Sequence, residues 1–175
     1  GNDVLYGGLG NDSLIGGLGD DGYIFGGASV DEADVLTETE EENGGTDYLS
    51  FNSMTSPVTM NLGEDTVQTV HTNRTVKLNS SSTFENLEGG SGNDSLTGNS
   101  LNNILFGYAG DDTLWGRAGN DSLYGGLGND QYYFETASVG EADVLTEGVD
   151  GGVDLLSFYY LTSAVTMNLG LDTVQ

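Results

Sequence analysis

The sequence predicts an all-β chain, a parallel β-roll (β-solenoid) in which short strands and glycine turns stack. Three observations carry this reading: a nine-residue repeat, an apolar residue held at the eighth place of each repeat, and almost no helical signal. The longest run reads GGSGNDSLT (89–97), GNSLNNILF (98–106), GYAGDDTLW (107–115), GRAGNDSLY (116–124) and GGLGNDQYY (125–133). A shorter run opens the chain with GNDVLY (1–6), GGLGNDSLI (7–15) and GGLGDDGYI (16–24). Repetition at a fixed period is the signature of stacked architectures.

Each part of the repeat has a structural reason. Glycine at places one, two and four lets the backbone take positive φ and turn tightly. The sixth place is Asp3, Asp12, Asp21, Asp94, Asn103, Asp112, Asp121 and Asp130. The eighth is Leu5, Leu14, Tyr23, Leu96, Leu105, Leu114, Leu123 and Tyr132. The last three residues are too few for a helix but suffice for a short strand, so place eight points inward and places seven and nine outward. Two repeats complete one coil, which puts repeats i and i+2 in the same sheet.

A longer period overlies the short one. ASVDEADVLTE (28–38) recurs as ASVGEADVLTE (137–147), and VTMNLGEDTVQ (58–68) as VTMNLGLDTVQ (165–175). The chain begins at Gly1 within a repeat and stops at Gln175 within another. It reads as a piece of a longer array. We treat residues 1–175 as one continuous roll, with regular repeats at 1–24 and 89–133 and irregular coils at 25–88 and 134–175. The coils keep an Asp-x-apolar kernel at Asp34, Asp47, Asp143 and Asp154. Val58, Met60 and Leu62 alternate with polar residues, as do Val165, Met167 and Leu169, which is strand periodicity. The run Glu38-Thr39-Glu40-Glu41-Glu42 reads as a solvated loop.

Charge narrows the function. The 175 residues hold 28 Asp plus Glu against 3 Lys plus Arg, a net −25. That balance excludes nucleic acid as a natural partner, since phosphate binding needs cations. It disfavours anionic membranes, and no apolar run is long enough to span one. Stacking repeats i and i+2 brings carboxylates together on one edge. Two unit charges ~5 Å apart repel by about 3 kcal/mol at an effective dielectric near 20. A cation between the turns reverses that sign. Carboxylates and turn carbonyls offer only hard oxygen, which suits Ca²⁺ at ~2.3–2.6 Å better than Mg²⁺. With no Cys and one His, transition metals and structural zinc lack their preferred ligands.

These repeats resemble the RTX family, the haemolysin-type calcium-binding repeats with consensus GGxGxDxUx. Complete repeats cover about 70 of the 175 residues. The stretches GGTDYLSF (44–51) and FENLEGGSGNDSLTGN (84–99) look like the C-terminal roll of serralysin-type secreted proteins. The resemblance implies calcium between turns i and i+2. The first turn gives the carbonyls of places two and four and the side chain of six; the second gives the carbonyls of one and three and its own six. One implied site pairs Gly90, Gly92 and Asp94 with Gly107, Ala109 and Asp112. The next pairs Asn99, Leu101 and Asn103 with Gly116, Ala118 and Asp121. A third pairs Tyr108, Gly110 and Asp112 with Gly125, Leu127 and Asp130. Upstream, Thr83 and Glu85 would face Gly98, Ser100 and Asn103. In the first run, Gly1 and Asp3 face Gly16, Leu18 and Asp21. Gly8, Gly10 and Asp12 need a partner from the coil, for which Asp34 is the candidate, and Asp47 joins the candidate ligands. Sites that share Asn103 carry less charge and should bind more weakly, and those linking Asp94, Asp112 and Asp130 should be the strongest. About six ions would cancel roughly 12 of the 25 negative charges.

The resemblance further implies type I secretion, with the chain unfolded in a calcium-poor cytosol and folded outside the cell. The expected function is a calcium-binding module that folds on Ca²⁺ and gives a rigid extracellular segment of a larger secreted bacterial protein, with no enzymatic activity. Two alternatives stand beside it: an adhesin or glycan-binding segment, and the non-catalytic tail of a secreted hydrolase. Phe106, Trp115, Tyr124 and Tyr133, at the outward ninth place, could face surface glycans or neighbouring modules, although cross-strand ladders are the commoner use of such residues. The GxGxxG match at Gly17–Gly22 precedes no helix and carries two Asp, which argues against nucleotide. HExxH and GxSxG are absent, so the serralysin protease activity does not carry over. His71, Arg74 and Lys77 are expected on a loop, offsetting nearby acids.

Overall fold

The computed structural model describes residues 1–27, 31–39, 45–135, 141–148 and 151–159. Among these, every regular element is a strand. The expected strand at Val165, Met167 and Leu169 lies outside the described residues.

The strands form three sheets. The largest contains β1 (Val4–Tyr6), β3 (Gly22–Ile24), β5 (Tyr48–Ser50), β9 (Asn86–Glu88), β11 (Ile104–Ala109), β13 (Ser122–Leu127) and β15 (Val144–Thr146), in that spatial order. Opposite it lie β6 (Thr59–Asn61), β10 (Ser95–Thr97), β12 (Thr113–Trp115), β14 (Gln131–Tyr133) and β16 (Leu155–Ser157). The third contains β2 (Ser13–Ile15), β4 (Glu32–Thr37), β8 (Arg74–Leu78) and β7 (Val67–His71). All pairings are parallel except the β7–β8 hairpin. The chain alternates between sheets, as two repeats per coil require. Leu105 pairs in register with Leu87 and Leu123, and Leu114 with Leu96 and Tyr132.

The core is what the eighth place predicts. Tyr23, Leu49, Leu87, Leu105 and Leu123 form one buried column, Met60, Leu96, Leu114 and Tyr132 a second, and Leu36 and Leu78 of the third sheet a third. Each fully buried side chain of this kind contributes about 1.5–3 kcal/mol. Three residues of strand expose one apolar side chain each, so a lone repeat cannot bury its own face. Stacking supplies the neighbours.

The coils are strands of the same stack. The kernels at Asp34, Asp47, Asp143 and Asp154 lead into or lie within β4, β5, β15 and β16. Two expectations are corrected. His71, Arg74 and Lys77 do not lie on a loop: they belong to the β7–β8 hairpin, whose inward residues Val70, Val76 and Leu78 close the core. Glu38 is not solvated; it is 3% exposed, held by hydrogen bonds to the Gly17 amide and the Tyr23 hydroxyl.

Candidate metal sites

The sixth residue of each repeat stands just before its strand, so parallel stacking aligns these side chains along the sheet edges. Each carboxylate Oδ1 accepts the backbone N–H of its counterpart one coil earlier. On the five-stranded sheet, Val58 donates to Asp94 at 2.8 Å, Asp94 to Asp112 at 2.7 Å, Asp112 to Asp130 at 2.8 Å and Asp130 to Asp154 at 3.0 Å. On the seven-stranded sheet, Asp3 donates to Asp21 at 2.6 Å, Asp21 to Asp47 at 2.8 Å and Asp47 to Glu85 Oε2 at 2.8 Å. Further along, Asn103 donates to Asp121 at 2.8 Å and Asp121 to Asp143 at 3.1 Å. On the third sheet Asp12 donates to Asp34 at 3.0 Å. The structure thus brings together the acids that sequence spacing pairs, including Asp12 with Asp34.

The second carboxylate oxygen decides what the turn can hold. In Asp21, Asp112, Asp121 and Asp130, Oδ2 is buried with no hydrogen-bond partner among the described residues. A buried, unpaired oxygen bearing charge is costly, and each points at the glycine in place one. A Cβ on Gly16, Gly107, Gly116 or Gly125 would collide with that oxygen. Place one is therefore glycine for space: among the described positive-φ residues, the repeats contribute places two and four.

Place two controls the oxygen. Gly17, Tyr108, Arg117 and Gly126 all have positive φ, and their amides leave Oδ2 free. At Gly90 and Asn99 φ is not positive. Their N–H groups turn back and donate to Asp94 Oδ2 at 2.6 Å and Asn103 Oδ1 at 2.8 Å. Asp94 therefore has both oxygens satisfied by amides, and in this respect it differs from Asp112 and Asp130. At Asn103 the amide nitrogen donates to the carbonyl of Glu85 and to Asn99 Oδ1, which fills with N–H the space that oxygens elsewhere surround. Thr83 Oγ1 is also buried, without a partner among the described residues.

Electrostatics follow burial. Burial pushes Asp112 and Asp121 up to about 7, helped for Asp112 by Asp94 and Asp130 and for Asp121 by Asp143 and Glu141. Asp47 is also pushed up to about 7, by burial and then by Glu38, Glu85 and Asp21. Burial raises Asp94 and Asp130 as well. A set of buried, mutually repelling carboxylates with unpaired oxygens and no other donor type fits a hard divalent cation such as Ca²⁺. Asp21, Asp112, Asp121 and Asp130 would supply the side-chain oxygens, and the metal would supply the positive charge that the edge lacks.

One edge carries its own cation. Arg74 is buried between Glu32 and Asp34, with an ion pair to each, and donates to the carbonyl of Gly8 at 3.0 Å. Its guanidinium lies 5.1 Å from the centre of the Phe25 ring. Of the residues expected around Asp12, Gly8 thus faces an arginine.

The fifth place carries a ladder that the sequence reading did not use. Asn93, Asp111, Asn102, Asn120, Asn129 and Asn2 accept N–H groups from the following coil, at 2.8–3.1 Å. The signal was available: all eight repeats have Asn or Asp at this place. The outward aromatics are half-buried and stack on one another, Phe106 on Tyr124 at 4.6 Å and Trp115 toward Tyr133 at 6.2 Å. Ser56 Oγ lies 2.7 Å from His71 Nε2, but His71 Nδ1 has no hydrogen-bond partner among the described residues, so none of their acids orients the ring as a catalytic triad requires.

The family model for the RTX calcium-binding nonapeptide repeat matches residues 1–23, 81–100 and 97–132, in four copies. The chain matches no curated protein. The matched residues form glycine turns and carboxylate edges described above, and these stretches of the β-solenoid are RTX calcium-binding nonapeptide repeats.

Proposed function

We propose that this module is a calcium-driven folding unit of a secreted protein, disordered without Ca²⁺ and rigid with it. The observation that carries the reading is the buried, unpartnered Oδ2 at Asp21, Asp112, Asp121 and Asp130. Without a cation, each coil stacked adds repulsion to the edge; with one, each coil stacked adds a shared ligand set. Folding and metal binding then become one equilibrium. A medium rich in calcium would fold the chain, and a calcium-poor cytosol would keep it extended for export. The lack of cysteine is consistent with a metal taking the place of disulfides as the staple of an extracellular chain. The module acts by structure and not by catalysis.

Circular dichroism during a Ca²⁺ titration tests this. The expected result is a cooperative gain of strand signal, reversed by EGTA and not reproduced by equal Mg²⁺. Strand signal that persists unchanged after EGTA would sink the proposal.

A further inference from the structure

The last repeat of each glycine run differs from the others. Tyr23 and Tyr132 stand where the other complete repeats have Leu. Each hydroxyl donates to a glutamate fifteen residues on, Tyr23 to Glu38 and Tyr132 to Glu147. The Tyr23 hydroxyl in turn accepts the Gly16 amide at 2.8 Å. The glutamate lies in the coil that follows the run, where no glycine turn continues the repeat.

We propose that Glu38 and Glu147 complete two junction calcium sites, one formed with Asp21 and Asp47 and the other with Asp130 and Asp154. In each set the carboxylate oxygens lie within 4.8 Å of one another. The proposal rests on the calcium reading above and adds a type of site that the repeat itself does not encode. Acid clustering alone would not carry it; three further observations do. Asp21 and Asp130 are both fully buried, and each has an unpartnered Oδ2. A Cβ on Gly16 would meet Asp21 Oδ2, Glu38 Oε1 and the Tyr23 hydroxyl together, so these oxygens converge on one point; Gly125 has the corresponding contacts with Asp130 and Tyr132. Finally, the arrangement occurs twice, in two copies of the long repeat whose coils differ in sequence and length.

Chemistry selects the ion. Three carboxylates and no nitrogen or sulfur ligand suit a hard cation, and an irregular coil fits the flexible coordination of Ca²⁺ better than the strict octahedron of Mg²⁺. Ligand charge tunes calcium affinity. A site with three acids should therefore fill before the regular sites, which use two. Tyr23 and Tyr132 are positioning residues: they hold the glutamates against the turn. Calcium would then order the coil at each end of a glycine run first, and the regular turns would fill from these anchors.

The test uses the whole chain and two double variants. Glu38→Gln/Glu147→Gln keeps the acceptor for each tyrosine but removes one charge per site. Chelator-competition titration should show two fewer tight ions, or at least tenfold weaker binding of the first two, with the remaining ions unchanged. Tyr23→Phe/Tyr132→Phe keeps every carboxylate; the ion count should stay the same, while tyrosine-sensitised Tb³⁺ emission from the first two ions falls several-fold. Unchanged Ca²⁺ stoichiometry and affinity in the Gln variant, or unchanged Tb³⁺ emission in the Phe variant, would overturn the junction sites alone. A parent chain that binds no Ca²⁺ would instead remove the broader reading.

Discussion

Tyr108 and Arg117 hold φ at 76° and 71°, a region that costs a residue with a side chain about 1–3 kcal/mol. The strain has a counterpart in the turn: the amide of place two is kept away from the aspartate, and Oδ2 stays available. Each side chain also finds a partner, Tyr108 stacking on Phe106 and Arg117 on Trp115. Where place two relaxes, at Gly90 and Asn99, the amide closes the oxygen. Asn103 is the informative case, because its side-chain N–H groups occupy the ligand space. Asn103→Asp should turn two donors into an acceptor facing the Glu85 carbonyl and Asn99 Oδ1. The calcium-free fold should lose about 1–3 kcal/mol, the cost of a buried unsatisfied group. With Ca²⁺ present, the loss should disappear and isothermal titration should count one more ion. An unchanged ion count would show that the amide does not stand in for a cation. The Asn for Asp exchange was visible in the sequence, and weaker binding around it was the expectation drawn from it. What could not be read was the φ of place two, since Gly90 and Gly126 are the same residue in different backbone states.

At the scale of strands and sheets, the Asp-x-apolar kernels were legible because one inward residue per strand is enough to mark the period. The β7–β8 hairpin was not, since it is antiparallel, breaks the coil rhythm and turns without glycine at Thr72-Asn73. Its contribution is Arg74. The guanidinium reaches Glu32, Asp34 and the Gly8 carbonyl, so the edge of the third sheet is partly neutralised by the chain itself, an ion pairing that the other two edges lack among the described residues. Arg74→Met keeps much of the apolar stem but leaves Glu32 and Asp34 buried without a positive partner. Breaking a buried pair in this way typically costs about 3–5 kcal/mol. Thermal melts in saturating Ca²⁺ should therefore show a large drop in midpoint, while Lys77→Met, at an exposed position on the same strand, should change little. A melt for Arg74→Met within a degree of the parent would show that the third sheet does not depend on its arginine.

Across the whole molecule, one-dimensional stacking makes every coil depend on its neighbours, and a net charge of −25 opposes each added coil. Calcium is one way to remove that charge; protons are another. In the calcium-free fold, burial and neighbouring acids push Asp47, Asp112 and Asp121 up to about 7, against about 3.9 for aspartate in an unfolded chain. Between these values the folded state binds more protons than the unfolded one, so the free energy of unfolding falls as pH rises. The calcium-free fold is thus at its weakest above about 7 and gains stability on acidification toward about 4. Reduced self-repulsion acts in the same direction. The same protons compete with the metal, so the calcium midpoint should move to higher concentration over this window. Strand signal measured in EGTA should rise as pH is lowered from 7.5 to 5, with no metal added. If the chain in EGTA stayed equally disordered at both values, the buried carboxylates would not be the groups that hold the calcium-free module apart.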